Sequence, residues 1–200
     1  MIRNILFDCS DTLCRFHSKA DLGERLGDPA RAERIHNALL RSDIWGEFDN
    51  GIVDEAKVKE ITFPTLPPED RPIAEAYLED FVCHFTPFDG MEDLLKELKE
   101  KGYSLYLVSD FPHQFTVLWE KFSLFRLFDG RAVSFEAHAS KRDLRLYEYV
   151  LKTYGLNPAE CLFVDDVEKL VANAKTFGMQ GHVFCGVEDL RAFLKTSQIL

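Results

Sequence analysis

The sequence predicts an α/β protein with a doubly wound parallel sheet and a helical segment inserted near the start of the chain. Short, continuously apolar runs of strand length alternate with amphipathic runs of helix length over most of the sequence. Residues 15–85 break this alternation, because they contain no convincing strand and carry helical periodicity instead. A chain of 200 residues is long enough for one ordinary domain with such an insertion, but too short for two full enzyme domains.

The predicted strands are apolar runs bounded by Asp, Ser, Gly or Pro, a pattern typical of strands that are covered on both faces. They comprise residues 2–7, 103–108, 132–135, 161–164 and 182–185. The helices predicted to alternate with them comprise residues 91–101, 114–122, 144–154, 167–177 and 187–195. Right-handed crossovers are the default connection where strands and helices alternate in this way.

Three helices are predicted inside the insertion, at residues 29–42, 54–61 and 68–85. Two turn-rich sequences, GEFDNG and PTLPP, separate them. We therefore divide the chain into an α/β core domain, residues 1–14 and 86–200, and a helical domain, residues 15–85.

Composition and charge exclude several classes of protein. Lys and Arg number 24 against 34 Asp and Glu, and the resulting net charge of −10 opposes binding to nucleic acid or to an anionic membrane. No run approaches the roughly 20 apolar residues of a membrane helix, and Asp8 comes too early for the apolar segment of a signal peptide. We expect a cytoplasmic protein, either a monomer or a homodimer. Its five cysteines show no metal-binding spacing, so we expect reduced thiols.

Acidic and hydroxyl side chains follow three of the predicted strands. The three clusters are Asp8 with Ser10, Asp11 and Thr12; Ser109 with Asp110; and Asp165 with Asp166. Because the carboxyl ends of parallel strands form the ligand crevice of a doubly wound sheet, these groups should converge. Carboxylates that converge repel one another unless a cation neutralises them, and a hard divalent ion such as Mg²⁺ prefers oxygen ligands. Taken alone, Asp166 could instead be the N-cap of the helix that follows it.

Four sequence motifs, in this order, resemble the haloacid dehalogenase superfamily of phosphohydrolases. They are ILFDCSDTL, LYLVSD, ASKRDLRLYEYVL and CLFVDDVEKLVANAKTFGM. The resemblance covers nearly the whole chain and implies a Rossmann-like core with a helical cap at residues 15–85. The chain also resembles the sugar-phosphate phosphatase subgroup of this superfamily, including a glucose-1-phosphatase type.

The resemblance implies a role for each motif residue. Asp8 would be the nucleophile, Ser109 would bind the transferring phosphoryl group, and Lys141 would balance the charge of both. Mg²⁺ would be held by Asp8, the backbone carbonyl of Ser10 and Asp166, with Asp165 either a direct ligand or an outer-sphere partner. Arg142 and Asp110 would lie beside the phosphate. The implied function is a Mg²⁺-dependent phosphatase that hydrolyses a small phosphorylated metabolite through an aspartyl-phosphate.

Two departures from the family pattern leave alternatives open. Ser10 stands where most family phosphatases carry a second Asp that protonates the leaving group, and a serine hydroxyl is too weakly acidic for this step. Asp11 or His113 could supply the proton instead. The loop around Lys141 lacks the usual prolines, which loosens it. The alternatives are therefore a catalytically impaired phosphate-binding or interaction protein, and a metal-independent 2-haloacid dehalogenase.

The turn sequence GEFDNG and the residues before it could border the site. Trp45, Glu47, Phe48 and Asp49 could face the site and select the leaving group. The alternative is that Trp45 and Phe48 anchor a small core of the helical segment.

Overall fold

Seven strands are present in the computed structural model, which describes residues 1–200. They are β1 (Asn4–Phe7), β2 (Cys14–Phe16), β3 (Phe85–Pro87), β4 (Ser104–Ser109), β5 (Gly130–Val133), β6 (Cys161–Asp165) and β7 (Gln180–Val183). Five of them form one parallel sheet in the order β5-β4-β1-β6-β7. The predicted doubly wound α/β fold is confirmed.

Eleven α-helices accompany the strands. They are α1 (Ser18–Leu26), α2 (Pro29–Leu40), α3 (Asp43–Asp49), α4 (Glu55–Thr62), α5 (Arg71–Glu79), α6 (Met91–Glu100), α7 (Phe115–Lys121), α8 (Ser134–Ala137), α9 (Arg145–Tyr154), α10 (Glu168–Thr176) and α11 (Val187–Thr196). None of them has the length and apolar character that crossing a lipid bilayer requires.

Both faces of the central sheet are covered, as the continuously apolar strands predict. Ile5 and Phe7 of β1 belong to a cluster of 39 buried residues on one face. Leu6, between them, belongs to a cluster of 12 buried residues on the other face. The two clusters place the strand ends in a scaffold that is packed from both sides, which holds the side chains that follow these strands in fixed positions.

The helical insertion consists of α1 to α5, which lie between β2 and β3. Its helices begin where the sequence supplies caps. The carboxylate of Asp28 accepts a hydrogen bond from the Arg31 N–H, and Pro29 occupies the first turn of α2. Asp54 caps α4 in the same way through the Lys57 N–H. Buried side chains of the insertion, such as Leu22 and Ile35, join the larger apolar cluster of the sheet. The division of the chain into two domains stays a prediction.

The structure corrects the sequence-based prediction at four places. The prediction of no strand in the insertion is wrong at its ends, because β2 and β3 pair there as a short antiparallel ribbon. Helix α1 was not predicted, and the GEFDNG turn is largely helical, since α3 runs to Asp49. The strand predicted at 132–135 ends at Val133, where α8 begins. Strands of three residues are too short to show a period, which explains why the ribbon was missed.

Asp70 joins two parts of the insertion through a buried ion-pair network. One of its carboxylate oxygens lies 2.6 Å from Nε of Arg31 and the other lies 2.7 Å from Nη2 of Arg34. Its side chain is fully buried, whereas both arginines are partly exposed. Burial opposes ionisation, but the hydrogen bonds from the two arginines outweigh it and lower the pKa of the Asp70 carboxyl.

We expect Asp70→Ala to lower the free energy of unfolding by about 1–3 kcal/mol at pH 7, because three charge-assisted hydrogen bonds from two arginines are lost. The pKa of Asp70 is lower in the folded protein than in the unfolded chain, where it is about 3.9. Ionised Asp70 therefore stabilises the fold fully above about pH 3.9, and this stabilisation is lost as the pH falls through the folded-state pKa. Urea unfolding at pH 7 and at low pH measures the difference. The control is Glu69→Ala, since the Glu69 side chain is exposed and only its backbone carbonyl contacts Arg31. Equal losses at both pH values would contradict the ion-pair explanation.

Candidate active site

The predicted convergence of polar residues occurs at the carboxyl end of the central sheet. In the sheet register, Phe7 lies beside Leu107 of β4 and Val164 of β6. Asp8 follows directly, and its N–H donates to the Val164 carbonyl at 2.9 Å. Ser109 ends β4 and Asp165 ends β6, so both lie next to Asp8 at the same edge. This arrangement forms because β1 is central, with a strand on each side of it.

A buried lysine bridges two of these carboxylates. The Nζ atom of Lys141 lies 2.6 Å from Oδ1 of Asp8 and 2.7 Å from Oδ2 of Asp165. The three residues are almost completely buried, with Lys141 only 3% exposed. Lys141 belongs to the loop before α9 and is separated from both carboxylates by many residues. The site therefore depends on how this loop is held.

Burial and charge shift the proton affinities in the site. Burial raises the pKa of Asp8 above its usual range, the carboxylates of Asp165 and Asp166 add to this shift, and Lys141 opposes it. Burial, together with Asp165 and Asp11, raises the pKa of Asp166 to about 6. Burial opposes a charge on Lys141, but its carboxylate neighbours outweigh this effect and raise the pKa of the ammonium. Lys141 is therefore held in its charged form. Its single positive charge does not balance the combined negative charge of the carboxylates around it.

Three carboxylates could hold a metal ion. Asp8, Asp165 and Asp166 place one oxygen each within 4.8 Å of the others. Ionised, they carry three negative charges against the single positive charge of Lys141. An all-oxygen donor set with an excess of negative charge suits a hard divalent cation such as Mg²⁺. The residues at this site therefore fit the group that the sequence predicts.

The two neighbouring aspartates differ in what they contact. Asp165 is fully buried; Oδ2 accepts from Lys141, and Oδ1 accepts from the Val167 N–H at 2.8 Å. Asp166 lines the cavity above the sheet with a partly exposed carboxylate. It is not the N-cap of α10, because that position is Val167. The geometry favours Asp166 as the open ligand and Asp165 as the residue that holds Lys141.

Ser109 offers a hydroxyl with no partner inside the protein. The residue is 1% exposed, and its Oγ makes no hydrogen bond within the chain. A buried hydroxyl without a partner costs free energy, so Ser109 has a hydrogen bond to offer to a ligand. Its place at the end of β4, beside Asp8, agrees with the predicted role of binding a phosphoryl oxygen.

Asp110 anchors the loop that carries Lys141. Its Oδ1 accepts from the Lys141 N–H and its Oδ2 accepts from the Ser140 hydroxyl, both at 2.9 Å. The sequence places Asp110 beside the phosphate, and this role stays a prediction. The hydrogen bonds give Asp110 a positioning role that the sequence did not reveal, because they restrain a loop that lacks the prolines of the family pattern.

We expect Asp110→Ala to lower kcat/KM about 10- to 100-fold, because a loosened loop misplaces the Lys141 ammonium. The free energy of unfolding should fall by about 1–3 kcal/mol, since two buried donors lose their acceptor. Asp110→Asn is the control, because its amide oxygen can still accept from the Lys141 N–H. Steady-state kinetics together with urea unfolding test this. Equal defects in the two variants would mean that the charge of Asp110, rather than loop anchoring, is what matters.

Ser10 and Asp11 both line the cavity, but Asp11 is also tied into the turn that leads to β2. The φ angle of Asp11 is +54°, a conformation that favours Gly or Asn. Its Oδ1 accepts from the Phe16 N–H at 3.0 Å, and its own N–H donates to the Cys14 carbonyl. Asp11 therefore stabilises the turn into β2. This contact makes Asp11 a poor replacement for the missing second Asp.

A cavity of about 960 Å³ lies between the sheet edge and the helical insertion. The sheet side contributes Asp8, Ser10, Asp11, Asp110, Arg142 and Asp166. The insertion and its connections contribute aromatic and basic side chains: Arg15, Phe16, His17, Lys19, His36, Arg41, Trp45, Phe81 and Phe85. Arg142 is exposed, and its side chain has no hydrogen-bonded carboxylate partner. A cavity of this volume can admit a small organic ligand.

The remaining residues that the sequence suggested for the site differ in whether they line the cavity. Trp45 is 8% exposed and faces the cavity, whereas Phe48 is 1% exposed and packs against Trp45. His113 is exposed, packs edge-on against Phe48 and does not line the cavity. Asp49 lines the cavity, as predicted. Glu47, predicted together with it, is exposed and does not line the cavity.

Two proteins of known activity are similar to this chain over most of its length. A chloroplastic flavin mononucleotide hydrolase 1 of Arabidopsis thaliana is 26% identical over 189 residues, which cover 93% of this chain and 74% of the plant protein. A sesquiterpene phosphatase of Aspergillus oryzae is 31% identical over 144 residues, which cover 72% of this chain and 73% of the fungal protein.

The fold and a family model point to the same group. The crystal structure of a HAD family enzyme of Bacteroides thetaiotaomicron, in complex with magnesium and inorganic phosphate, matches with a TM-score of 0.67 at 18% identity. The match covers 92% of this chain and 94% of the bacterial one. Residues 2–172 match the family model for haloacid dehalogenase-like hydrolases, which is most of the 200-residue chain. The chain therefore belongs to the haloacid dehalogenase-like hydrolases.

Proposed function

We propose that the protein is a Mg²⁺-dependent phosphatase that hydrolyses a small phosphorylated metabolite through an aspartyl-phosphate on Asp8. One observation carries this proposal: the buried ammonium of Lys141 bridges Asp8 and Asp165 at the sheet edge. The free carboxylate of Asp166 and the unpartnered hydroxyl of Ser109 lie at the same edge. On this proposal, one crevice holds the nucleophile, a fixed cation, a metal ligand and a hydroxyl that can donate a hydrogen bond to a phosphoryl oxygen.

Asp8 and Asp166 would hold the metal with the backbone carbonyl of Ser10, and Asp165 would support them through Lys141. When bound, Mg²⁺ supplies positive charge that neutralises phosphoryl oxygens. The fit rests on the oxygen donor set and its excess of negative charge. We also propose that phosphate binds only weakly until this excess is neutralised, because the crevice otherwise repels anions.

The side chains of this chain divide the reaction between them. The Asp8 carboxylate, held by Lys141, forms a bond to phosphorus while the bond from phosphorus to the leaving oxygen breaks. The Ser109 hydroxyl donates to a phosphoryl oxygen, and the Lys141 ammonium balances the charge of the group as it is transferred. Water then attacks the phosphorus of the aspartyl-phosphate, which releases inorganic phosphate and restores the Asp8 carboxylate.

The cavity supports a substrate larger than inorganic phosphate alone. Its volume of about 960 Å³ and its aromatic wall, which includes Phe16, Trp45 and Phe81, suit a leaving group with an apolar or ring-shaped part. The names of the two relatives describe a flavin mononucleotide hydrolase and a sesquiterpene phosphatase. Flavin mononucleotide and isoprenyl monophosphates therefore join sugar 1-phosphates as candidate substrates.

A panel of phosphate esters, assayed with and without Mg²⁺, tests the function. The panel contains sugar 1-phosphates, flavin mononucleotide and other nucleotides, isoprenyl monophosphates, acyl phosphates and one 2-haloacid. We expect release of inorganic phosphate from at least one ester. EDTA should abolish this activity, and added Mg²⁺ should restore it.

Other outcomes would contradict the proposal. Binding of Mg²⁺ and phosphate by calorimetry, without turnover of any ester, would support a catalytically impaired phosphate-binding protein. Turnover of the 2-haloacid that survives EDTA would support the dehalogenase reaction, in which Asp8 attacks carbon.

A further inference from the structure

The proposed phosphatase lacks an obvious donor for the proton that its leaving group needs. Ser10 is too weakly acidic to supply this proton near neutral pH. Asp11 is held by the Phe16 N–H at 3.0 Å, and His113 lies outside the cavity. The carboxylates of Asp8 and Asp166 are assigned to nucleophilic attack and metal binding. A donor must therefore come from another part of the cavity wall.

Asp49 is the acidic side chain that the helical insertion contributes to this cavity. It ends α3 and lines the cavity together with Asp8 and Ser10. It also lines a second cavity of about 480 Å³ that shares several residues with the first. Asp49 therefore lies where the two cavities meet, near Asp110 and Arg142 of the core loops.

The backbone around Asp49 is tied to the core. The carbonyl of Asp49 accepts a hydrogen bond from the buried hydroxyl of Ser134, which in turn accepts from the Phe111 N–H. The next carbonyl, that of Asn50, lies 3.0 Å from Nδ1 of His138.

Gly51 completes this attachment. Its φ angle is +64°, and a Cβ atom at this position would lie 2.7 Å from the Phe135 carbonyl oxygen. Only glycine allows such a close approach with this backbone conformation. Residues 49–51 are thus fixed against residues 134–138, so the backbone that carries the Asp49 carboxyl is held in place at the cavity wall.

We propose that Asp49 is the general acid of the reaction and replaces the second Asp that the chain lacks at Ser10; the inference rests on the proposed phosphatase function. As the bond from phosphorus to the leaving oxygen breaks, the Asp49 carboxyl transfers its proton to that oxygen. The resulting carboxylate then accepts a proton from the water that attacks the aspartyl-phosphate. The proton balance closes over one turnover, because the leaving group departs as an alcohol and Asp49 is protonated again.

The surroundings of Asp49 support a protonated carboxyl near neutral pH. Burial raises its pKa well above the usual range, and the negative charge of Asp110 raises it further. Arg142 and the indole N–H of Trp45 lower it, but their influence is smaller. Asp110 and Arg142 belong to loops of the core, whereas Trp45 belongs to α3 itself. The protonation of Asp49 therefore depends on the charges that these two loops carry.

Two aryl phosphates that differ in their leaving group test the inference. Phenolate is a poor leaving group that needs a proton, whereas 4-nitrophenolate leaves without one. We expect Asp49→Asn to lower kcat/KM for phenyl phosphate by about 100-fold or more, and for 4-nitrophenyl phosphate by only about threefold. The alkaline limb of the phenyl phosphate pH profile should disappear in the variant. Adding Ser10→Asp should restore hydrolysis of phenyl phosphate.

The control is Glu47→Gln, an exposed position on the same helix that does not line the cavity. It should leave both esters unaffected, and thermal unfolding should confirm that Asp49→Asn is folded. Equal losses on both esters in Asp49→Asn would overturn the assignment while leaving the phosphatase function intact. If the wild-type protein hydrolyses neither ester nor any member of the phosphate panel, both the function and this inference are overturned.

Discussion

Asp8→Asn is expected to lower kcat by about 10⁴- to 10⁶-fold, because removal of a covalent nucleophile leaves only binding and electrostatic stabilisation. An amide has no free carboxylate oxygen to form the bond to phosphorus. Rapid quenching with a phosphate ester labelled in its phosphoryl group should trap labelled wild-type protein during turnover. The same experiment should give no label on the variant.

The fold of this variant should survive. Lys141 keeps its contact with Asp165 at 2.7 Å, so the ammonium does not lose all of its partners. The matched control is Asp11→Asn, three residues away, whose amide oxygen can still accept from the Phe16 N–H. It should retain turnover near the wild-type rate. Wild-type turnover by Asp8→Asn, or an unchanged yield of labelled protein, would remove Asp8 from the role of nucleophile.

The largest effect on stability is expected from Lys141→Met. The substitution leaves Asp8 and Asp165 as buried carboxylates with no cation between them, and breaking a buried ion pair in this way costs about 3–5 kcal/mol. Activity should fall as well, by about 10²- to 10³-fold, because the charge that stabilises the transferring group is lost. Urea unfolding and steady-state kinetics measure the two effects.

Added Mg²⁺ should recover part of the stability of Lys141→Met, because the ion neutralises the same carboxylates. Lys152→Met, at an exposed position of α9, is the control and should leave stability within about 0.5 kcal/mol of the wild type. If Lys141→Met were as stable as this control without metal, the ion-pair network would not hold the site together.

The sheet and the main site residues could be predicted from the sequence for a physical reason. A strand buried on both faces must be continuously apolar, and the first polar residue after it marks the open edge of the sheet. Asp8 and Asp165 were found in this way, because each stands at the end of such a run. Lys141 has no comparable local signal, and only the family motif indicated it.

The parts that were missed depend on contacts between distant residues. The anchoring role of Asp110 could not be predicted, because its partners Ser140 and Lys141 are about 30 residues further along the chain. Asp49 was predicted to face the site, but its attachment to Ser134, 85 residues further along the chain, could not be predicted. The ribbon of β2 and β3 was missed because each strand is short and its partner lies on the far side of the insertion. None of these relations leaves a periodic pattern in the sequence.

The ribbon of β2 and β3 also brings together the two points where the insertion joins the core. Phe16 and Phe85 are direct partners in it, so the chain leaves the core and returns to it at nearly the same point. A short hairpin turn could join these two residues without disturbing the connectivity of the sheet. The apolar cluster opposes such an excision, because insertion residues such as Leu22 and Ile35 pack in the same cluster as Ile5. The insertion could be deleted without changing the order of the strands in the sheet. The deletion would nevertheless remove side chains that pack in the shared apolar core.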